Sequence, residues 1–236
     1  MPVLFCDGRC PIVSNDIVAR VERLRAELPP DVEILAAAKT RTAEEVRAAA
    51  EAGITMVGHN YVQEAATMRD ALKDAPPLRW HFIGHLQRNK ARRAVEIFDV
   101  IETIDSERIA RAVDRHCAET GKVMPVLVEI NSGREANKAG VFPENARALI
   151  EAISGFEHIR VMGLMTMGPW TDDAEALRPC FKATRRICDD LAAHPVEGVE
   201  MARLSMGMSD SWQVAVEEGA NRVRIGTGIF GPRPAK

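Results

Sequence analysis

One lysine stands directly after an apolar run of strand length. Lys39 follows Glu33 to Ala38 (EILAAA), so a strand over this run places the amine at the strand's carboxyl end. Barrel enzymes keep their reactive groups at that end of their strands. Partial loss of water there favours the neutral amine, which can attack a carbonyl and form a Schiff base. The position predicts an imine-forming lysine, and a surface lysine at a strand end is the alternative reading.

Two turns near the end of the sequence have the composition of an anion site. RLSMGMSDSW contains Ser205 and leads into a helix predicted to start near Ser209, and RVRIGTGIFG contains Gly226, Thr227 and Gly228. Glycine lets backbone N–H groups approach an anion closely, and hydroxyl groups add further donors. Barrels frequently bind phosphate after their seventh and eighth strands, so the two turns are expected to converge. Either turn alone would be an ordinary structural loop.

Arg224 lies two residues before Gly226 and therefore shares a strand face with it, pointing into the barrel mouth. A buried guanidinium needs an acceptor, which a core carboxylate or the ring nitrogen of a bound pyridine could supply. Because arginine does not give up its proton, such a ring nitrogen would stay unprotonated. The ring would then be a weak electron sink, and carbanion chemistry would be restrained.

Apolar runs of strand length alternate with amphipathic stretches along the chain. The eight predicted strands are Glu33 to Ala38, Thr55 to Gly58, Trp80 to Gly84, Val100 to Ile104, Pro125 to Asn131, Arg160 to Met165, Glu200 to Ser205 and Arg222 to Gly226. Strands separated by helices require parallel crossovers, and eight such units close into a (β/α)8 TIM barrel of the α/β class. An open Rossmann-like sheet is the alternative, but the phosphate-loop pattern GxxxxGK[ST] does not occur.

Seven helices are predicted between these strands. Thr42 and Glu45 have capping-box spacing, and Gly53 ends that first helix, while Ser106 and Gly121 bound another. The remaining five are Tyr61 to Lys73, Leu86 to Ile97, Pro143 to Ile153, Ala174 to Ala193 and Ser209 to Glu218. TGIFGPRPAK after the last strand is too short and too rich in Gly and Pro for a final helix. A helix over Asn15 to Leu28 is therefore expected to cover that position.

Composition bounds the class of protein. The 236 residues are 46% hydrophobic and 28% charged, with a net charge of −3, which predicts one globular domain over residues 1–236. Neither an apolar span nor a secretory signal is recognisable, so we expect a cytoplasmic protein that binds no membrane. The basic cluster Arg88 to Arg93 is interpreted as a solvated helix face, since no aromatic residues interleave it, and no nucleic-acid partner is expected.

The five cysteines are odd in number and widely spread, which favours free thiols in a reducing compartment. Cys6 and Cys10 have the spacing of a metal-binding pair, but no second Cys/His pair accompanies them. No metal site is predicted.

Seven motifs give the sequence a family resemblance. They are AAAKT, NYVQEA, WHFIGHLQRNK, VEINSGREANKAG, GLMTM, LSMGMSDSW and VRIGTGIFG, in that order between Ile34 and Gly231. With them the chain resembles the single-domain pyridoxal phosphate homeostasis proteins, which look like the barrel half of bacterial alanine racemase. The resemblance implies that barrel, the fold type III of proteins that bind pyridoxal 5′-phosphate (PLP).

The resemblance also implies roles for individual residues. Lys39 would carry the Schiff base to PLP, Arg224 would meet the pyridine nitrogen, and the phosphate would be held by Ser205, Gly226 and Thr227. Two residues would lie near the cofactor without assigned chemistry, namely Asn60 and His85. Lys138 matches another family lysine, either a secondary acceptor or a solvent lysine.

Three features depart from the family pattern. His59 stands where the family usually has a glutamate, which puts an imidazole near the predicted mouth. Ala36 to Ala38 replaces a run that commonly contains a Val-Ser pair. The N-terminal CDGRC has no family counterpart.

The sequence favours a cofactor carrier over a rapid catalyst. A two-base racemase needs a base opposite the lysine, and in the racemases that base is a tyrosine from a second domain. Here the only tyrosine is Tyr61, at the start of the helix after the second strand. No residue is assigned as catalytic, the expected partners are PLP and PLP-accepting apoenzymes, and a monomer is expected. A slow PLP-dependent amino-acid racemase using Lys39 alone and a Schiff-base aldolase acting on a sugar phosphate are the alternatives.

Overall fold

Eight parallel strands close into a barrel in the order of the sequence. The computed structural model describes residues 11–169, 171 and 173–232, and residues 11–14 by their backbone alone. The strands are β1 (Glu33–Ala37), β2 (Met56–His59), β3 (Arg79–Phe82), β4 (Val100–Ile104), β5 (Met124–Glu129), β6 (Ile159–Met165), β7 (Arg203–Ser205) and β8 (Arg222–Ile225). Each pairs with its neighbour along the chain, and β8 pairs with β1 to close the ring. The predicted barrel is confirmed.

Helices alternate with the strands around the outside. They are α1 (Pro11–Glu27), α2 (Ala43–Glu51), α3 (Val62–Ala71), α4 (Ala91–Ile97), α5 (Glu107–Thr120), α6 (Ala146–Ser154), α7 (Arg178–Ala193), α8 (Trp212–Glu217) and α9 (Thr227–Phe230). The seven helices predicted between strands, α2 to α8, are all present. Single 3-10 turns precede α4, α6 and α7, which is why those helices begin later than predicted.

The region after the last strand differs from the prediction. A single helical turn, α9, forms where no helix was expected, because the N–H groups of Ile229 and Phe230 donate to the Gly226 carbonyl. The helix predicted before the first strand is confirmed as α1, which packs against α2 and α9. The outer ring of helices is thereby completed beside β8 and β1. No helix among the described residues is long and apolar enough to cross a membrane.

Local capping signals explain two of the helix ends. The Thr42 hydroxyl accepts the Glu45 N–H and the Glu45 carboxylate accepts the Thr42 N–H, which is the predicted capping box. Gly121 ends α5 in the left-handed conformation, with φ of 65°. Ser106 occupies the N-cap position of α5, but its hydroxyl donates to Asp105 and caps no backbone group.

The barrel divides the interior into two layers. Side chains that point outwards from the strands form one continuous apolar core with the helices, and Val57, Trp80, Phe82 and Val223 belong to it. Inside the barrel, Leu35, Met56 and Ile83 form a small separate cluster. Much of the remaining interior is polar, whereas branched apolar residues usually fill this space. This polar interior underlies the site described below.

Three of the cysteines can be described. Cys117, Cys180 and Cys188 are buried free thiols, and burial raises the pKa of Cys117 to about 11. They behave as small apolar core residues. Cys6 and Cys10, for which no metal role was predicted, lie outside the described residues.

Candidate functional site

Lys39 lies at the mouth of the barrel, two residues beyond the end of β1. Ala36 and Ala38 belong to the outer core, so the alternating residues Ala37 and Lys39 are directed towards the barrel interior. The Lys39 amine lies 5.3 Å from the centroid of the Tyr61 ring, over its face. The lysine is only half-buried, so a small molecule entering from the mouth can reach the amine.

The turn that follows β8 is the neighbour of Lys39 in the barrel. Ala36 of β1 pairs with Ile225 of β8, and Gly226 comes directly after it. A methyl group added to Gly226 would lie 3.4 Å from the Ala37 carbonyl oxygen, which is ordinary contact distance and shows that the two segments are neighbours. The early lysine and the late glycine-rich turn therefore face the same opening, as the sequence predicted.

Two backbone N–H groups and one hydroxyl group come together in this turn region. The backbone N–H groups of Gly226 and Gly228 both donate to the Ser209 hydroxyl oxygen, at 3.2 and 3.1 Å. The hydroxyl's own proton has no acceptor among the described residues. An anionic oxygen placed here would replace the hydroxyl oxygen as acceptor and gain the hydroxyl as a further donor. Thr227, between the two glycines, is exposed at the rim.

Arg41 ties the lysine's loop to the end of this turn. Its buried guanidinium donates to the carbonyl oxygens of Phe230 and Gly231, at the end of α9, and also pairs with Glu45 at 3.3 Å. Thr40, between the two basic residues, has φ of 65°, which is unusual for a β-branched residue. A strained backbone persists only where its surroundings hold it, and the Arg41 contacts supply that restraint.

Arg224 is buried inside the barrel beneath the mouth. One terminal nitrogen donates to the backbone and hydroxyl oxygens of Ser205, at 2.8 and 2.9 Å, and the other donates to the Thr166 carbonyl at 2.8 Å. Nε has no partner among the described residues and is not sealed from solvent. The guanidinium is thus fixed on one side and keeps donors free on another.

Ser205 belongs to the layer below. Its side chain is fully buried, and the hydroxyl donates to Glu102 at 2.7 Å. The phosphate role implied for Ser205 stays a prediction, and it would require the hydroxyl to leave Glu102. Ser209, which the motif comparison passed over, is better placed for that role because it lies beside both glycine N–H groups.

Glu102 joins four strands across the barrel interior. It accepts from His81 on β3 at 2.7 Å and from Arg222 on β8 at 2.9 Å, in addition to Ser205 on β7. Burial acts to raise the pKa of Glu102, but the His81 hydrogen bond and the charges of His81, Arg222 and Arg224 outweigh it and lower the pKa to about 2. These contacts hold Glu102 as a carboxylate at neutral pH.

A cavity of about 250 Å³ opens on the other side of the mouth. Among the residues that line it are Asn60, His85, Glu129 and Lys138. Asn60 donates weakly to the Ile83 carbonyl at 3.5 Å, and His85 lies 3.5 Å from an oxygen of Asp105. The structure thus brings these three predicted neighbours to the mouth, but across it from the turn after β8.

Glu129 is the most perturbed group in this cavity. Burial, reinforced by the negative charge of Asp105 and opposed by Arg224, raises its pKa to about 7. Its carboxyl group has no hydrogen-bond partner among the described residues. A group that exchanges its proton near neutral pH and faces a cavity is a candidate for acid–base work. Glu129 was not predicted from the sequence, although it interrupts the apolar run PVLVEIN.

The position predicted for His59 is wrong. Its imidazole is directed outwards from β2 and is 1% exposed, stacked on Trp80 with ring centroids 5.6 Å apart. Neither ring nitrogen has a hydrogen-bond partner within the described part of the chain, and burial lowers the pKa of His59 to about 4. The reason is strand alternation, because His59 shares the outer face with Val57 and not the inner face with Met56.

A larger cavity, of about 540 Å³, lies at the opposite end of the barrel. Residues at the beginnings of β1, β2 and β3 line it, among them Glu33, Met56 and Arg79. The amino-terminal face of a barrel serves stability, and the predicted site residues lie at the other face.

Comparison with known proteins agrees with this fold. The family model described as alanine racemase, N-terminal domain, matches residues 12–234. A pyridoxal phosphate homeostasis protein from Aquifex aeolicus is 39% identical over 200 residues, which cover 85% of this chain and 86% of that protein. The protein of the same name from Mus musculus is 36% identical over 232 residues, covering 91% and 83%.

Solved structures give the same answer. PipY of Synechococcus elongatus without PLP has a TM-score of 0.86 and 37% identity, covering 91% of this chain and 100% of that chain. Its structure with PLP bound has a TM-score of 0.84 and 36% identity over the same shares. An alanine racemase of Clostridium difficile, 17% identical with a TM-score of 0.77, covers 95% of this chain and 61% of that chain and shows the shared fold alone. The chain therefore belongs to the pyridoxal phosphate homeostasis protein family, whose barrel is that of the alanine racemase N-terminal domain.

Proposed function

We propose that this protein binds PLP as a Schiff base on Lys39 and acts in intracellular PLP homeostasis, as a carrier or buffer with little or no catalytic turnover. The observation that carries the proposal is the meeting of Lys39 with the turn after β8 at one mouth. PipY, at 36% identity, has been solved with PLP bound, and relatives are named for PLP homeostasis.

The residues present fit the chemical groups of this cofactor. Gly226, Gly228 and Ser209 supply converging donors for a phosphate, and the exposed hydroxyl of Thr227 can add another. Arg224 offers a free N–H of a permanent cation to the pyridine nitrogen, which would keep that nitrogen unprotonated. When bound, PLP supplies an aldehyde that an amine captures and a ring that withdraws electrons. Asn60 borders the same mouth, and Ser205 supports Arg224 from beneath.

Reduction of the bound cofactor tests the assignment. Purified protein incubated with PLP should show a visible absorption band that borohydride abolishes, leaving the cofactor attached to Lys39 in a peptide map. Lys39→Ala should lose the band and the label, because no other described lysine lies beside the turn after β8. Lys138→Ala is the matched control, since Lys138 lines the same mouth but lies across it. Label retained by Lys39→Ala, or mapped to Lys138 in the parent protein, would contradict the proposal.

The carrier role is supported by what faces the lysine. Tyr61 lies on the same side as the Lys39 amine and contacts it through the ring face, so it does not supply a base opposite the lysine. With Arg224 opposite the pyridine nitrogen, carbanion formation would also be restrained. PLP-loaded protein should restore activity to a PLP-dependent apoenzyme in solution, in proportion to the PLP it carries. We further propose a single cytoplasmic barrel domain that acts as a monomer, which sedimentation of the purified protein would test.

A second candidate function, slow PLP-dependent racemisation of amino acids, is favoured by Glu129. Its pKa of about 7 allows it to give and take protons at the mouth, where the sequence showed no second base. Under this reading, purified protein would exchange the α-hydrogen of a free amino acid with solvent deuterium. Both Lys39→Ala and Glu129→Gln would abolish that exchange, whereas exchange unaffected by Glu129→Gln would dismiss the carboxyl group as the base.

A further inference from the structure

The polar interior of the barrel reaches the proposed cofactor site through one carboxylate. We propose that Glu102 is a positioning residue, which holds the Arg224 guanidinium in place for the pyridine ring through the Ser205 hydroxyl. The inference deepens the proposed function and rests on it. It concerns residues that lie beneath the mouth and contact no part of the cofactor themselves.

The connection consists of two short hydrogen bonds in series. The Ser205 hydroxyl donates to one Glu102 oxygen at 2.7 Å, and Arg224 donates to the Ser205 oxygen at 2.9 Å. All three side chains are at most 3% exposed, so water does not compete for these bonds. The backbone carbonyl oxygens of Ser205 and Thr166 are the other two acceptors of the Arg224 guanidinium.

The charge of Glu102 sets the direction of these bonds. A carboxylate is only an acceptor, so the Ser205 proton must point to Glu102 and the serine lone pairs remain for Arg224. A glutamine at position 102 could instead donate its amide hydrogens to Ser205. The hydroxyl proton would then be free to turn towards Arg224, where donor would meet donor. Arg224 would lose its hydroxyl acceptor although the shape of the side chain at position 102 is kept.

The other end of the network provides a matched control. Arg222 bridges Glu102 and Glu33, donating to Glu102 at 2.9 Å and to Glu33 at 2.6 Å. Glu33 is half-buried at the start of β1, at the far end of the barrel from the mouth. Glu33→Gln therefore removes the same charge from the same arginine without touching Ser205 or Arg224. If PLP binding depended only on the negative charge beside Arg222, the two substitutions would have similar effects on PLP binding.

The test is titration of the variants with PLP, followed by the visible spectrum of the bound cofactor. Glu102→Gln should weaken PLP binding about tenfold, the equivalent of one misplaced hydrogen bond. It should also shift the position of the visible band and make that position depend on pH, because the ring nitrogen loses its fixed donor. Glu33→Gln should bind PLP within about twofold of the parent and keep the parent spectrum.

Ser205→Ala keeps Glu102 paired with Arg222 and tests the link if Glu102→Gln fails to fold. Ser205→Ala should shift the visible band in the same way as Glu102→Gln. Because both residues act through one chain of hydrogen bonds, combining the two substitutions should lower PLP affinity no further than the more damaging of the two does alone. The inference would be overturned if Glu102→Gln kept the PLP affinity and the spectrum of the parent. Where Glu102→Gln does not fold, the same result in Ser205→Ala would overturn it. It would also be overturned if Glu33→Gln lost as much PLP affinity as Glu102→Gln. If the parent protein binds no PLP on Lys39, the proposed function fails first. If the parent binds there and the variants are unchanged, this inference alone fails.

Discussion

Neutralising Glu129 should change how the stability of the cofactor-free protein depends on pH. The pKa of this carboxyl group is raised from 4.5 to about 7 in the fold, first by burial and then by Asp105, against the opposing charge of Arg224. The folded state therefore keeps a proton that the unfolded chain gives up at lower pH. Stability falls as the pH rises from 4.5 to about 7 and is constant above that range.

The change in stability can be calculated from the shift of the Glu129 pKa on folding. At about 1.4 kcal/mol per pKa unit, raising the pKa from 4.5 to about 7 costs the folded protein about 3 kcal/mol above neutral pH. Glutamine imitates the protonated acid, so Glu129→Gln should unfold at the same urea concentration as the parent in mild acid. Above neutral pH the variant should be more stable by up to about 3 kcal/mol.

Urea unfolding of the parent and the variant, in steps from about pH 5 to about pH 8, measures this difference directly. Glu64→Gln, which removes an exposed carboxyl group from α3, is the control and should differ from the parent by a constant amount. A Glu129→Gln difference that does not grow with pH would refute the reasoning, since it would mean that water or a charged partner stabilises the carboxylate in the folded protein.

Three further predictions use the same unfolding assay. Burial lowers the pKa of His59 from 6.5 in the unfolded chain to about 4 in the fold. Stability should therefore drop by up to about 3 kcal/mol as the pH falls from 6.5 to about 4, and by less in His59→Phe. Arg41→Ala should cost about 3 kcal/mol and also weaken PLP binding, whereas a change confined to stability would separate Arg41 from the site. Gly84→Ala should cost at least about 2 kcal/mol, because the added carbon would lie 2.2 Å from the Asn60 carbonyl oxygen. Equal stability of Gly84→Ala and the parent would contradict that contact.

Much of the fold could be predicted because its signals are local. Thr42 and Glu45 cap a helix through atoms three residues apart, and Gly121 stops one because a single residue must adopt positive φ. Strand alternation placed Arg224 on an inward face in the same way. The single helical turn α9 was missed because the carbonyl of its last residue, Phe230, is held by Arg41, which lies 189 positions away.

The candidate site likewise has features that local sequence predicts and features that depend on long-range contacts. The sequence by itself determined that Lys39 lies at the carboxyl end of β1, that a glycine-rich turn follows β8, and that both face one opening. Each of these follows from residues adjacent in the chain and from the closure of eight strands. Only the tertiary structure decided that Glu102 meets Ser205 and Arg222, which lie 103 and 120 positions further on, and that Glu129 holds its proton near neutral pH. Both depend on which groups lose water and which charges come within a few ångströms once the barrel closes, and short stretches of sequence do not contain that information.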